Sequence, residues 1–208
     1  MFRKGLLVVI SGPSGTGKGT VLKLVKESFN NVRFSVSATT RKPREGEVEG
    51  KNYFFKTVEE FKEMLQNNEM VEWVEYCDNY YGTPRKYIEE SLEQGYDVIL
   101  ELEVEGAINI KNQYPDSVTI FMVPPSFDEL RLRIEGRGTE KPEVIEKRLK
   151  RAKEELSYID RYDYITINNA VEDSVSEVNS IIIAEKLKYQ RNKNLIKELG
   201  IETGGNEL

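Results

Sequence analysis

The sequence predicts an α/β fold, a parallel-sheet core with helices on both faces, interrupted by an inserted α+β lobe and by a lid. Three observations carry this. Short continuous apolar runs alternate with stretches of helical periodicity, the pattern of strands covered on both sides. A glycine-rich turn joins the first run to the first helical stretch. The alternation then breaks twice, once over a charged segment with short strand candidates and once at a glycine-containing loop between two helices.

Leu6–Ile10 is apolar throughout and reads as a buried first strand. It is too short for the apolar segment of a signal peptide or for a membrane span. Val21, Leu22, Leu24, Val25 and Phe29 recur at helical spacing, and Val32–Val36 follows as a second strand. Val98–Leu102, Val118–Val123 and Tyr164–Ile167 are the remaining core strands. Thr83–Gln94, Glu105–Gln113, Ser126–Glu135 and Pro142–Ile159 are the helices between them. A final helical stretch runs from Val171 to about Leu199, and the residues from Glu202 onward read as frayed. From about Ser37 to Tyr81 the rhythm gives way to strand candidates Asn52–Phe55 and Val71–Glu75 around one short helix, Val58–Gln66. The expected division is a core over 1–36 and 82–190, a lobe over about 37–81, a lid over about 136–148, and a helical tail over 188–208. A core with two such insertions suits an enzyme that closes over its substrates.

Composition narrows the chemistry. The chain has 208 residues, enough for one sizeable core, with 38% hydrophobic and 32% charged residues. It has no histidine and one cysteine. Catalytic triads, Cys-His pairs, histidine-ligated metals and internal disulfides are therefore excluded. Cys77 reads as a bystander in a reducing, cytoplasmic compartment. Thirty basic against 36 acidic residues give a net charge of −6, which argues against a general nucleic-acid binder. No membrane segment is expected.

Gly12-Pro13-Ser14-Gly15-Thr16-Gly17-Lys18-Gly19-Thr20 follows the first strand and opens the first helix, the setting in which a phosphate-binding loop works. Glycines let the backbone curl so that N–H groups converge, and the helix start adds unsatisfied donors and the positive end of its dipole. Lys18 adds a point charge for the β- and γ-phosphates. The residue after Lys18 is Gly19 rather than a hydroxyl residue, so Thr20 is expected to meet a phosphate, with Mg²⁺ held largely through water. This tilts the reading toward a small kinase. Asn192-Lys193-Asn194-Leu195 lacks the aspartate of a guanine-binding switch motif.

Further along stand Ser37-Ala-Thr-Thr-Arg41-Lys-Pro-Arg44, Gly50-Lys-Asn-Tyr53-Phe, Glu72-Trp73, Tyr80-Tyr81-Gly82-Thr83 and Gly136-Arg137-Gly138-Thr139. This ordered set resembles the guanylate kinase family, P-loop nucleoside monophosphate kinases that transfer phosphate from ATP to GMP, over residues 5–187. The resemblance implies that Arg41, Arg44, Tyr53 and Tyr81 bind the GMP phosphate and that Ser37, Glu72 and Thr83 read guanine. The chemistry agrees for Glu72, since a carboxylate offers two acceptors to the N1–H and 2-amino donors of guanine.

Glu101 and Glu103 end the Val98–Leu102 strand, where open α/β sheets bind ligands. The resemblance sets them between the two nucleotides, near guanine or Mg²⁺, with Glu103 standing where the family often has aspartate. It also implies that Arg133, Arg137 and Arg148 belong to the lid over ATP and that Asn168 contacts adenine. Arg131 matches less firmly, and Arg151 reads as part of an exposed basic helix face. Lys18, Arg44, Arg137 and Arg148 are the groups expected to carry the charge of the transferring phosphoryl. Mg²⁺ is expected to enter on the ATP phosphates, with Thr20 or Glu101 touching it through water. ATP and GMP are the expected partners, and the chain is a monomer or homodimer. Two alternatives stay open: a non-catalytic interaction module of the same fold, against which the intact phosphate loop argues, and a kinase for another phosphorylated acceptor.

Overall fold

The computed structural model describes residues 3–76, 78–136 and 142–200. Cys77, Arg137 and the segment beyond Gly200 lie outside the described residues. In chain order the elements begin with β1 (Leu7–Ser11), α1 (Lys18–Ser28), β2 (Val32–Phe34), β3 (Ala38–Thr39), β4 (Phe54–Phe55) and α2 (Val58–Gln66). They continue with β5 (Met70–Tyr76), β6 (Asn79–Pro84), α3 (Arg85–Glu93), β7 (Asp97–Glu101), α4 (Val104–Gln113) and β8 (Val118–Val123). The last are α5 (Phe127–Glu135), α6 (Pro142–Leu156), β9 (Tyr164–Ile167), α7 (Val171–Leu187) and α8 (Tyr189–Glu198).

The core sheet has the order β2-β7-β1-β8-β9, and every neighbouring pair is parallel. Strand β1 is buried along its whole length, which is why it reads as an unbroken apolar run. Alternation divides it between two layers. Val8 and Ile10 pack with Val21, Leu22 and Val25 of α1 and Val178 and Ile182 of α7. Leu7 and Val9 pack on the other face with Ile88 and Leu92 of α3 and Ala107 and Ile110 of α4. Helices α5 and α6 join through Leu130, Ile134, Leu149 and Ala152. Among the described residues no helix is long and apolar enough to cross a membrane.

The second sheet has the order β4-β3-β6-β5 and mixes parallel and antiparallel pairs. Its small core is Ala38, Phe61 and Met70, with Phe61 stacked on Tyr80 at 5.5 Å between ring centroids. Helix α2 starts with a capping box, Thr57 and Glu60 bonding each other's backbone N–H groups.

Four sequence expectations shift. Thr83 belongs to β6 rather than to the following helix, because Pro84 sits at the helix N-cap in an extended conformation, with ψ 124°. Strands β3 and β6 were not expected. The helix that starts at Pro142 stops at Leu156, and a single 3-10 turn follows at Ile159–Arg161. The tail is two helices, broken at Lys188. There the buried Glu185 carboxylate collects Tyr164, Lys188 and Arg191, and Asn192 Nδ2 donates to the carbonyls of Lys186 and Lys188 at 2.8 Å each. The Asn192 amide thus satisfies carbonyls that a continuing helix would otherwise bond itself.

Candidate active site

The loop between β1 and α1 is shaped by three glycines with positive φ: Gly12 at 140°, Gly15 at 95° and Gly17 at 88°. At Gly12 a Cβ would lie 2.1 Å from the Met122 carbonyl oxygen, so the loop also needs glycine there for space. Pro13 is buried and Ser14 is exposed. Thr16 is fully buried, and its hydroxyl donates to the Pro13 carbonyl at 2.9 Å. Gly17 is the N-cap of α1, and its carbonyl accepts from the N–H groups of Thr20 and Val21. Gly19 and Thr20 lie exposed on the first turn.

Lys18 folds back over this loop, its Nζ donating to the carbonyls of Gly12 at 2.6 Å and Pro13 at 3.0 Å. Burial lowers the Lys18 ammonium below its ordinary value, against the charges of Glu101, Glu155 and Glu103. An ammonium held at the loop by neutral carbonyls and facing carboxylates is a fixed positive charge beside converging backbone donors.

Helices α5 and α6 reach the same region with arginines. Arg148, on α6, donates to the Ser14 hydroxyl at 2.6 Å. Arg133, on α5, is held by Glu129 at 2.8 Å and donates to the Asn168 carbonyl at 3.1 Å. Arg131 pairs instead with Glu146 at 2.7 Å on the outer side. Asn168 follows β9 and is buried, with its side-chain amide donating to the Thr16 carbonyl at 2.6 Å. The loop after β1, Glu101 at the end of β7 and Asn168 after β9 all lie at the carboxyl edge of the sheet, where such folds take ligands.

In the lobe, Glu72 on β5 stands opposite Thr83 on β6, and the Thr83 hydroxyl donates to Glu72 Oε1 at 2.6 Å. Burial raises the Glu72 carboxyl above its ordinary value; the bond from Thr83 opposes this and the charge of Glu103 adds to it. Arg41 donates to Glu47 at 2.8 Å and lies over the Tyr53 ring at 5.3 Å. Tyr53 and Tyr81 meet edge to face at 6.2 Å, and Tyr81 favours the charged form of Arg41. The sheet thus brings Arg41, Tyr53 and Tyr81 together. Arg44 is exposed, and its backbone N–H donates to Glu47 at 2.7 Å. Ser37 is half-buried beside this group, its carbonyl accepting from Phe54 at 2.9 Å.

Glu101 and Glu103 are both exposed, the second as the N-cap of α4. Glu103 pairs with Arg151, whose Nε also meets Glu155 at 3.1 Å. Arg151 is exposed on its helix, as expected, and its two carboxylate partners add it to the charged cluster. Glu155 went unnoticed in the sequence. Its carboxyl is raised chiefly by burial, opposed by Arg151. The available signal was spacing: Arg148, Arg151 and Glu155 fall on one face of α6 at i, i+3 and i+7.

Comparison with known proteins agrees with this geometry. The family model described as "Guanylate kinase" matches residues 4–185. The chain is 50% identical to the guanylate kinase of Caldanaerobacter subterraneus subsp. tengcongensis, covering 97% of this chain and 98% of that one. It is 51% identical to the guanylate kinase of Lactococcus lactis subsp. lactis, covering 92% and 93%. The crystal structure of guanylate kinase from Anaplasma phagocytophilum matches with a TM-score of 0.71 and 33% identity, covering 97% of this chain and 98% of that one. With these matches along nearly its whole length, the chain belongs to the guanylate kinase family.

Proposed function

We propose that the transfer of the γ-phosphate of ATP to GMP, giving ADP and GDP, runs in this chain on alignment and charge neutralisation alone. The acceptor is a phosphate oxygen, anionic at neutral pH, so no general base is needed. This suits a chain without histidine. The loop from Gly12 to Thr20 cradles the donor phosphates, with Arg133 and Asn168 framing the ATP side. Lys18, Arg148 and Arg44 carry the charge of the transferring group, and on the resemblance alone Arg137 joins them. Arg41, Arg44, Tyr53 and Tyr81 take the GMP phosphate, while Ser37, Glu72 and Thr83 read the base beside Glu101 and Glu103. The lobe over about 37–81 is the acceptor lobe, with its sheet continuing through Thr83, and 136–148 is the lid. A cytoplasmic setting, where ATP and GMP are both supplied, is part of this reading.

The donor set fits Mg²⁺ carried on ATP. The oxygen groups at the loop are the Thr20 hydroxyl and the Glu101 carboxylate, both exposed. Among the described residues no cluster of three acidic, cysteine or histidine groups could hold a cation unaided. Such a sparse set of hard donors suits an ion that keeps waters and phosphate oxygens as its main ligands. The ion would neutralise charge between the β- and γ-phosphates, and Thr20 and Glu101 would orient its waters.

The observation that carries the acceptor assignment is the Glu72–Thr83 pair. Thr83 donates to one carboxylate oxygen and ties Glu72 to the sheet, leaving lone pairs on both oxygens for the N1–H and 2-amino donors of guanine. Adenine would turn an acceptor, N1, toward that carboxylate. Coupled assays with GMP, AMP, CMP, UMP and a ribose bisphosphate test this. GMP should be preferred by about 10²-fold or more, the penalty of mismatched polar groups. Comparable rates with AMP or the ribose bisphosphate would overturn the acceptor assignment.

A further inference from the structure

Asn168 sits where the family resemblance puts an adenine contact, yet all of its polar atoms are taken up by the protein. Its Nδ2 donates to the Thr16 carbonyl at 2.6 Å, and its Oδ1 accepts from the Ser174 hydroxyl of α7 at 3.1 Å. Its backbone N–H donates to Val123 of β8 at 2.8 Å, and its carbonyl accepts from Arg133 at 3.1 Å. The residue is 2% exposed. Packing is tight as well as polar, since a Cβ on Gly17 would stand 2.5 Å from Nδ2.

The bond falls at the centre of the phosphate loop. Thr16 lies between Gly15 and Gly17, both with positive φ, and its own hydroxyl is turned back to Pro13. The Thr16 carbonyl and the Gly17 N–H belong to one planar trans peptide, so they point in opposite directions. Fixing the carbonyl on Asn168 therefore fixes the N–H on the other side. The Thr16 carbonyl decides which way the amide faces, because it can only accept; Oδ1 is then left for the Ser174 hydroxyl, which anchors the other end of the amide.

We propose that Asn168 is a positioning residue of the phosphate loop: anchored at its other end by Ser174, its side-chain amide holds the Thr16–Gly17 peptide so that the Gly17 N–H is aimed at the donor phosphates. Through its own carbonyl it also ties Arg133 to that loop. Its side chain does not read the donor's base. This rests on the reading that the loop holds the phosphates of ATP.

Asn168→Asp places an oxygen against the Thr16 carbonyl at nearly unchanged volume, and Ser174→Ala removes the amide's second anchor without touching the loop. Two quantities are measured, the Kd of inorganic tripolyphosphate by calorimetry and the ratio of kcat/KM for ATP to that for CTP at saturating GMP. Asn168→Asp should weaken tripolyphosphate about tenfold or more, and Ser174→Ala a few-fold, as expected for one misdirected hydrogen bond. The ATP-to-CTP ratio should stay at the wild-type value in both. If Asn168→Asp fails to fold, Ser174→Ala decides alone. A collapsed ATP-to-CTP ratio with unchanged tripolyphosphate binding would make Asn168 a base reader and overturn the proposal. So would unchanged values of both quantities in the folded variants. If tripolyphosphate fails to bind wild type, the loop assignment itself falls, and the positioning role with it.

Discussion

The glycine-rich loop after β1 is held by backbone and by buried side chains, whereas the arginines of the inserted lobe are held by pairs near the surface. Thr16 is 0% and Asn168 2% exposed, and both are bonded across the loop. In the lobe, Arg41 leans on Glu47 with both side chains partly open to solvent, and Arg44 is exposed. The lobe's own core is small, with Ala38, Phe61 and Met70 at its centre. A site made of buried peptides costs little reorganisation when the ligand arrives. A site made of paired surface charges must exchange partners. On the proposed assignment of ATP to the loop and GMP to the lobe, the donor side is preformed and the acceptor side adaptable, a division suited to an enzyme whose second substrate completes the site.

The sharpest way to break this contrast is at Lys18. Its contacts are to loop carbonyls, so Lys18→Ala should leave the fold in place while kcat falls by about 10²- to 10³-fold, as for other fixed charges that serve the transition state. Steady-state rates with GMP, alongside a thermal melt, check this. Near-normal turnover in a folded variant would mean that the preformed loop is not where the reaction's charge is met.

Glu72 sharpens the contrast from the proposed acceptor side, because with the buried Thr83 it is held as the loop is held, by a short bond in a largely buried setting. Burial raises its carboxyl above the ordinary range, so as pH falls through that raised value Glu72 protonates and loses an acceptor for guanine. The KM for GMP should then climb on the acid side while the KM for ATP stays level. Thr83→Val removes a bond that favours the charged form, which should move the acid limb to higher pH. Glu72→Gln should abolish the limb and weaken kcat/KM for GMP by about 10- to 10²-fold, one charged hydrogen bond plus one mismatched group. A pH profile of both KM values in the three proteins decides. An acid limb that survives in Glu72→Gln belongs to another group.

The same division explains what could be read from the sequence. Strand β1 and its loop were legible because burial on both faces leaves a continuous apolar run and the curl demands glycines at fixed spacing. Strand β6 was not, because Asn79-Tyr-Tyr-Gly-Thr-Pro has no apolar alternation and its pairing is set by β5 and β3. The break at Lys188 was hidden for a similar reason: the helical pattern runs straight through it, and the cause is Glu185 meeting Tyr164 from another element. Among the expected site residues, those embedded in ordered motifs, including Glu72 and Thr83, come together in the structure as a pair. Arg151 is exposed on its helix, as expected, but its pairing with Glu103 was not legible because that partner lies 48 positions away, beyond any local pattern. The expected adenine contact drew attention to Asn168, whereas its bonds to Thr16 and Ser174 could not be read from the sequence.

The smallest expected effect tests the adaptable side most directly. Glu47 neutralises Arg41 and also accepts the Arg44 N–H, so it both restrains one of the arginines proposed to take the GMP phosphate and orders the turn that carries the other. Arg41 and the Arg44 backbone hold the Glu47 carboxyl below its ordinary range, so it is charged at any working pH and acidification will not probe it. Glu47→Gln removes the charge and keeps an oxygen for the Arg44 N–H. If Arg41 must leave Glu47 to meet the GMP phosphate, losing that competitor should lower the KM for GMP by about two- to fivefold, the scale of a partly exposed ion pair. Glu47→Ala also loosens the turn and should return the KM to wild type or above. Both variants should melt close to wild type. A raised KM in Glu47→Gln would show that Glu47 aims Arg41 rather than restraining it. The lobe would then be as preformed as the loop, and the contrast between the two sides would fail at the residue chosen to display it.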